Sequence, residues 1–168
     1  EIPYHGNLTL STFPICSESV IVKKKGNPLD YYDVIEKLGE GTFGIVFKVR
    51  HKETGVIRAM KTIKVINASL KVNEIRREID VLKKFTNPNI IKLFEYFIDD
   101  ENIYLIEELG TEGDLQSKLM EIKAFPEFIV KILMLQIFKA LLYLSQKQII
   151  HGDLKPENIL IDYYDKND

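Results

Sequence analysis

The chain has 168 residues, 45% of them hydrophobic, and carries 23 Lys and Arg against 25 Asp and Glu, giving a net charge of -2 and a pI near 6.0. This suffices for the core of one ordinary domain or one and a half small ones, and with no basic excess neither nucleic acid nor a membrane surface is an expected partner. The single Cys16 excludes an internal disulfide framework and a cysteine zinc site, and it suits a reducing, cytoplasmic setting.

The chain opens on Glu1 and not Met, so it is read as a piece of a longer protein. Residues 1–28 hold Pro3, Gly6, Pro14, Gly26 and Pro28 without a sustained period. They are expected to be an extension or linker, with one short strand at "SVIVK". From Tyr31 the pattern becomes β-rich. "YYDVIEKLG" and "GIVFKVRHK" flank a run of glycines, and the turn "KETG" leads to a third strand, "VIRAMKTIKV". Val72, Ile75, Ile79 and Leu82 then share one face at helical spacing, until Asn87-Pro88-Asn89 breaks the helix. "IIKLFEYFID" and "NIYLIEEL" read as two further strands joined by the tight turn Asp99-Asp100-Glu101. Two helices follow, roughly 113 to 121 and 126 to 147. The second is apolar nearly all round, but Lys131, Gln136 and Lys139 interrupt it. A charge at a bilayer centre costs about 2.5–3.5 kcal/mol, so a core helix opened by Pro126 is expected and a membrane span is not. Strands first and helices second make an α+β pattern built on an antiparallel sheet.

Three groups of residues carry chemistry. Gly39, Gly41 and Gly44 form G-x-G-x-x-G, which lets a backbone approach a polyphosphate and turn its N–H groups toward the oxygens. Alone, a plain glycine-rich hairpin would read the same. A dinucleotide unit is disfavoured, because a strand and not a helix comes next. Lys61 lies in the third strand on the face of Ile57, Ala59, Ile63 and Val65. An inward ammonium needs an anion, and Glu78 on the following helix could supply it, although a surface ion pair would look alike. Finally, "HGDLKPENIL" at 151–160 sets Asp153, Lys155 and Asn158 close together. Asp153 can accept a hydroxyl proton, Lys155 can neutralise a transferring phosphoryl group, and Asn158 can ligate Mg²⁺.

Taken together in this order, these residues resemble the signature set of eukaryotic serine/threonine protein kinases. The resemblance covers residues 31 to about 165 and is strongest toward the calcium/calmodulin-dependent and calcium-dependent protein kinases, through "YYDVIEKLGEGTFGIVFKVRHKETG" and "NPNIIKLFEYF". It implies a protein-kinase-like fold: an extension at 1–28, an N-lobe with a five-stranded antiparallel sheet and one long helix at 29–108, and the hinge with the beginning of a helical C-lobe at 109–168. It implies ATP and Mg²⁺ as cofactors and a protein Ser/Thr hydroxyl as substrate, with Asp153, Lys155, Asn158, Lys61 and Glu78 as the catalytic set. Leu38, Val46, Ala59 and Leu160 would enclose adenine. Gly39, Gly41, Thr42, Phe43 and Gly44 would cover the phosphates, and Lys61, held by Glu78, would bind them. Glu108 and Gly110 would offer backbone groups to adenine, Asp114 would bind ribose, and Asn158 would be a metal ligand. Lys155 two residues after Asp153 follows the serine/threonine pattern.

Departures from the family sharpen these expectations. Gly152 stands where the family carries an arginine that pairs with an activation-loop phosphate, which predicts activity independent of that phosphorylation, or reduced activity. Glu107 falls at the gatekeeper position, where it could compete with Glu78 for Lys61 or close the back of the pocket. The sequence ends before an Asp-Phe-Gly motif, so the chain alone is expected not to be a competent kinase. The helices that would cover residues 126–147 are likewise missing, which predicts an exposed apolar patch. A calcium-sensing module could lie downstream. The competing reading is a pseudokinase or nucleotide-responsive binding module.

Overall fold

The computed structural model describes residues 22–24, 26–41, 44–64, 79 and 86–162. The described residues fall into two compact units, one holding those up to 86 together with 91–109, the other 87–90 together with 110–162.

The first unit is a sheet of six strands: β1 (Val22–Lys23), β2 (Tyr32–Gly41), β3 (Gly44–His51), β4 (Ile57–Lys64), β5 (Leu93–Ile98) and β6 (Asn102–Glu107). Their order across the sheet is β1-β5-β6-β4-β3-β2. Strands β2 to β6 make the expected five-stranded antiparallel ladder. The sequence expectation omitted a sixth member: β1, from the "SVIVK" stretch, pairs with β5 in parallel. Local chemistry closes the turns. Gly55, at φ +72°, donates its N–H to the His51 carbonyl at 2.8 Å between β3 and β4. Between β5 and β6, Asp99 Oδ1 accepts the N–H groups of Glu101 at 2.9 Å and Asn102 at 2.6 Å, an Asx turn in place of a glycine.

The pairing register sorts the side chains into two faces. Lys61 pairs with Leu105, Ala59 with Glu107 and Ile63 with Ile103, while Val46 lies opposite Lys61 on the other side. This face buries a cluster of Ile79, Leu93, Tyr96, Ile103 and Leu105. The opposite face buries Tyr32, Val49, Met60, Phe97 and Ile106, with Tyr31, Phe47 and Tyr104 packed against them. The helix expected between β4 and β5 lies outside the described residues except for Ile79, which is helical and 2% exposed.

In the second unit, α1 spans Leu115–Ile122 and α2 spans Glu127–Gln146. Pro126 precedes α2, where its missing N–H costs no helical bond. Only Ile129 and Leu144 of α2 are buried; Phe138 and Leu142 are 58% and 61% exposed. The expected apolar patch is therefore present among the described residues. By length and composition α2 could also cross a membrane, but Lys131, paired with Glu127 at 2.7 Å, and Lys139 lie within it.

Gly44 has φ +131°, and a Cβ there would lie 1.9 Å from the Thr62 carbonyl oxygen. Gly44→Ala should therefore destabilise the protein by about 2–4 kcal/mol in urea unfolding. Gly41→Ala, where a Cβ meets none of the other described residues within 4 Å, should cost about 1 kcal/mol or less. Equal midpoints for the two variants would contradict this account.

Candidate active site

In the sheet unit, the strictly alternating pleat of β4 delivers Ala59, Lys61 and Ile63 to one face. Ala59 is buried and Lys61 half-buried, so the ammonium emerges from the apolar ground made by Leu105 and Ile103. Glu107 belongs to the same face, one diagonal step from Lys61 in the ladder, a distance that long side chains can bridge. Gly39 and Val46 are paired at the mouth of the β2–β3 hairpin, and Gly41 pairs with Gly44 at its tip. Among the described residues, nothing beyond the chain neighbours lies within 4 Å of where a Cβ at Gly39 or Gly41 would stand. Internal crowding therefore does not account for these two glycines, and the space above them can admit a ligand. Leu38 is largely exposed beside them. Thr42, Phe43 and Glu78 lie outside the described residues. The N–H of Glu108 already donates to the Lys92 carbonyl at 2.9 Å, which leaves its carbonyl as the group that could meet a ligand.

In the helical unit, residues 151–162 form a short loop fastened near its C-terminal end. Leu115 donates its N–H to the Ile159 carbonyl at 2.8 Å, and Ile161 donates to the Gly113 carbonyl at 2.8 Å. Between them, Asp114 and Leu160 form an isolated antiparallel bridge. Gly110 packs against this loop so closely that a Cβ would meet Leu160 Cβ at 2.8 Å. Asp114 caps α1: one carboxylate oxygen accepts the Ser117 N–H at 2.8 Å and the other accepts its hydroxyl at 2.7 Å. The family resemblance implied ribose binding for Asp114, and the capping bond was not expected, although an Asp just before an apolar helical run is its ordinary signal.

The polar centre of the loop is compact. A 3-10 turn at Pro156–Asn158 swings Asn158 back, so its amide nitrogen donates to the Asp153 carbonyl at 2.8 Å and to Asp153 Oδ2 at 2.9 Å. Lys155 Nζ stands 3.1 Å from the same Oδ2, and the Asp153 N–H donates to His151 Nδ1 at 3.3 Å. The Lys155 ammonium, then the Asn158 amide, hold the Asp153 carboxyl below the usual carboxylate range. Gly152, at φ +79°, takes the left-handed turn that aims Asp153 outward. The group is thus an ionised carboxylate in water, flanked by one cation and one amide.

The protein kinase domain model matches residues 32–167. The chain belongs to the protein kinase family. It is 40% identical over 157 residues, 92% of its length, to calcium-dependent protein kinase 3 of Plasmodium yoelii yoelii, of which it covers 28%. To calcium-dependent protein kinase 5 of Plasmodium berghei it is 41% identical over 174 aligned residues, 98% of its length and 29% of that protein. An Aurora kinase of Candida glabrata is 40% identical over 135 residues, 79% of this chain and 37% of the relative. The chain thus spans less than a third of the length of the calcium-dependent relatives. Both the sheet of the kinase domain and its Asp153 loop lie inside the matched residues, whereas β1 and residues 24–31 precede them.

Protein kinases use Mg²⁺ with ATP, and the donors present fit such an ion. With its nitrogen turned to Asp153, Asn158 has its oxygen left to offer a hard cation. Replacing Lys155 by Met should move the Asp153 titration midpoint upward toward the ordinary value of about 3.9. The sign follows from the lowered folded-state value: the stabilising contribution is present above the unfolded-state midpoint and is lost as pH falls through the folded one. Carboxyl-carbon NMR of Asp153 reads it directly, and an unmoved midpoint would remove Lys155 as the cause.

Proposed function

We propose that the chain is the nucleotide-binding and catalytic-loop portion of a serine/threonine protein kinase. The supporting observation is the Asp153–Lys155–Asn158 cluster, in which one carboxylate is kept ionised and exposed by two partners. Asp153 would orient the substrate hydroxyl and take its proton as the oxygen bonds to the γ-phosphorus and the bridging oxygen to ADP departs. Lys155 would offset charge on the transferring group. Asn158 would hold Mg²⁺, which when bound neutralises charge on the phosphates.

On the sheet, Lys61 would bind the α- and β-phosphates with Glu78 beside it, and Gly39, Gly41, Thr42, Phe43 and Gly44 would cover them. Leu38, Val46, Ala59 and Leu160 would contact adenine, with the Glu108 carbonyl and the Gly110 backbone as polar partners. Asp114 would reach ribose with the lone pairs that Ser117 leaves. The names of the Plasmodium relatives support calcium dependence for the complete protein, through a sensing module elsewhere in its chain.

A regulatory reading, in which nucleotide binds but is not turned over, draws on Glu107, an acidic residue sharing the Lys61 face. The two readings separate in the complete protein. Asp153→Asn should abolish transfer to a peptide hydroxyl, a loss of about 10³-fold or more, while Mg-ATP still raises the melting temperature. Lys61→Met should remove that thermal shift. Unchanged transfer by the Asp153 variant would defeat the catalytic assignment.

A further inference from the structure

Residues 22–31 lie before the part of the chain that matches the kinase domain, yet Val22–Lys23 pair into its sheet, and Lys24 and residues 26–31 include Pro28, which is buried, and Tyr31, which packs on Phe97. Strand β1 sits on the β5 edge, while β2 begins at the opposite edge. Within residues 24–31 the chain therefore crosses the whole sheet, over the face opposite Lys61. Pro28 is buried in that crossing, and the Tyr31 ring packs 5.6 Å from Phe97. Midway, Asn27 and Asp30 close a capping box around the Pro28–Asp30 turn. Lys52 holds the Leu29 carbonyl at 2.6 Å.

Both ends of this strap are fastened to one side chain. Glu95 accepts the Tyr32 hydroxyl at 2.7 Å and pairs with Lys24 Nζ at 3.7 Å. Lys24 also lies 4.7 Å above the Tyr31 ring, and its N–H donates to the Tyr96 carbonyl at 3.0 Å. Tyr96 is the connecting piece. Its backbone holds the strap, while its buried side chain belongs to the cluster of Ile79 and Leu105 on the Lys61 face. Leu105 is the direct ladder partner of Lys61, and Ile79 follows Glu78 in sequence.

We propose that Lys24 and residues 26–31 form a detachable strap, latched by Lys24 on Glu95, whose attachment fixes β5 and thereby tunes the nucleotide affinity of the Lys61 face. A two-residue strand is marginal by itself, and a partly exposed ion pair is modest. The latch therefore opens at far lower free energy than the core, as regulatory elements must. Lys24 is a positioning residue and touches no substrate. The proposal rests on the nucleotide-binding reading of that face, so its test has one arm that does not.

In the full-length protein, Lys24→Glu places two carboxylates together at the latch, and Lys24→Arg restores the pair. Lys24→Glu should speed hydrogen exchange at the amides of Tyr96, Phe97 and Ile103–Ile106 by about fivefold or more. It should raise the KM for ATP by about three- to tenfold with kcat altered less than twofold, and Lys24→Arg should behave as the parent. Unchanged exchange in Lys24→Glu would show that no latch exists. Faster exchange with an unchanged KM would show that the strap does not reach the Lys61 face. A parent protein that binds no nucleotide would defeat the kinase reading, while the exchange comparison would still decide the latch.

Discussion

The register that sets Lys61 opposite Leu105 and Ala59 opposite Glu107 constrains everything else in the sheet. Because the side-chain period of a strand is two, a slip of one residue would bury Thr62 and Met60 on the Lys61 face and send the ammonium to the Tyr32 face. The register is protected by two clusters, one on each face, that would both be emptied by the slip. With β4 between β3 and β6, neither neighbour can move independently. The position of one charged side chain is thus enforced by about ten apolar ones.

The Asp153 loop uses a different economy. It has almost no burial to hold it, and depends on hydrogen bonds that run from the loop to residues 111–115 and within itself. Thr111 adds a short hydrogen bond to Asp162. Polar attachment suits a site that must stay in water and keep a carboxylate ionised, since burial would oppose its charge. The glycine at 152 contributes the backbone direction, and Gly110 contributes the room for Leu160.

Much of this was legible in the sequence, for identifiable reasons. Alternation gave β3, β4 and β6, and the inward placement of Lys61 followed from Ala59 and Ile63 on either side. The short strand near Val22 was visible from its β-branched run, but its partner was not. A parallel pairing with β5 spans more than seventy residues of chain and leaves no local signal. Asp114 illustrates another limit: an Asp before a helix and an Asp offered to a ligand are the same letter, and only Ser117, on both oxygens, shows the capping role. The all-apolar α2 was read as a core helix, yet in the described structure it buries only Ile129 and Leu144. Composition reports what a helix can bury, and covering it requires other elements.

The two edges of the sheet are finished differently. After Tyr32, every residue of β2 is exposed, and the strand is hydrogen-bonded to β3 alone. Charged pairs, Lys37 with Glu40 and Lys48 with Glu36, occupy its surface and discourage another chain from adding there. The β5 edge is instead closed by the chain's own β1. The sheet is therefore mechanically lopsided. Only the glycine-bearing tip of the β2–β3 hairpin is free of buried residues, so the tip can bend by exchanging backbone hydrogen bonds for water with little apolar surface uncovered. The far edge cannot follow without exposing Phe97 and Tyr96. While β1 stays paired with β5, bending is easier at the hairpin that carries Gly39, Gly41 and Gly44 than at the edge beside Lys61's face.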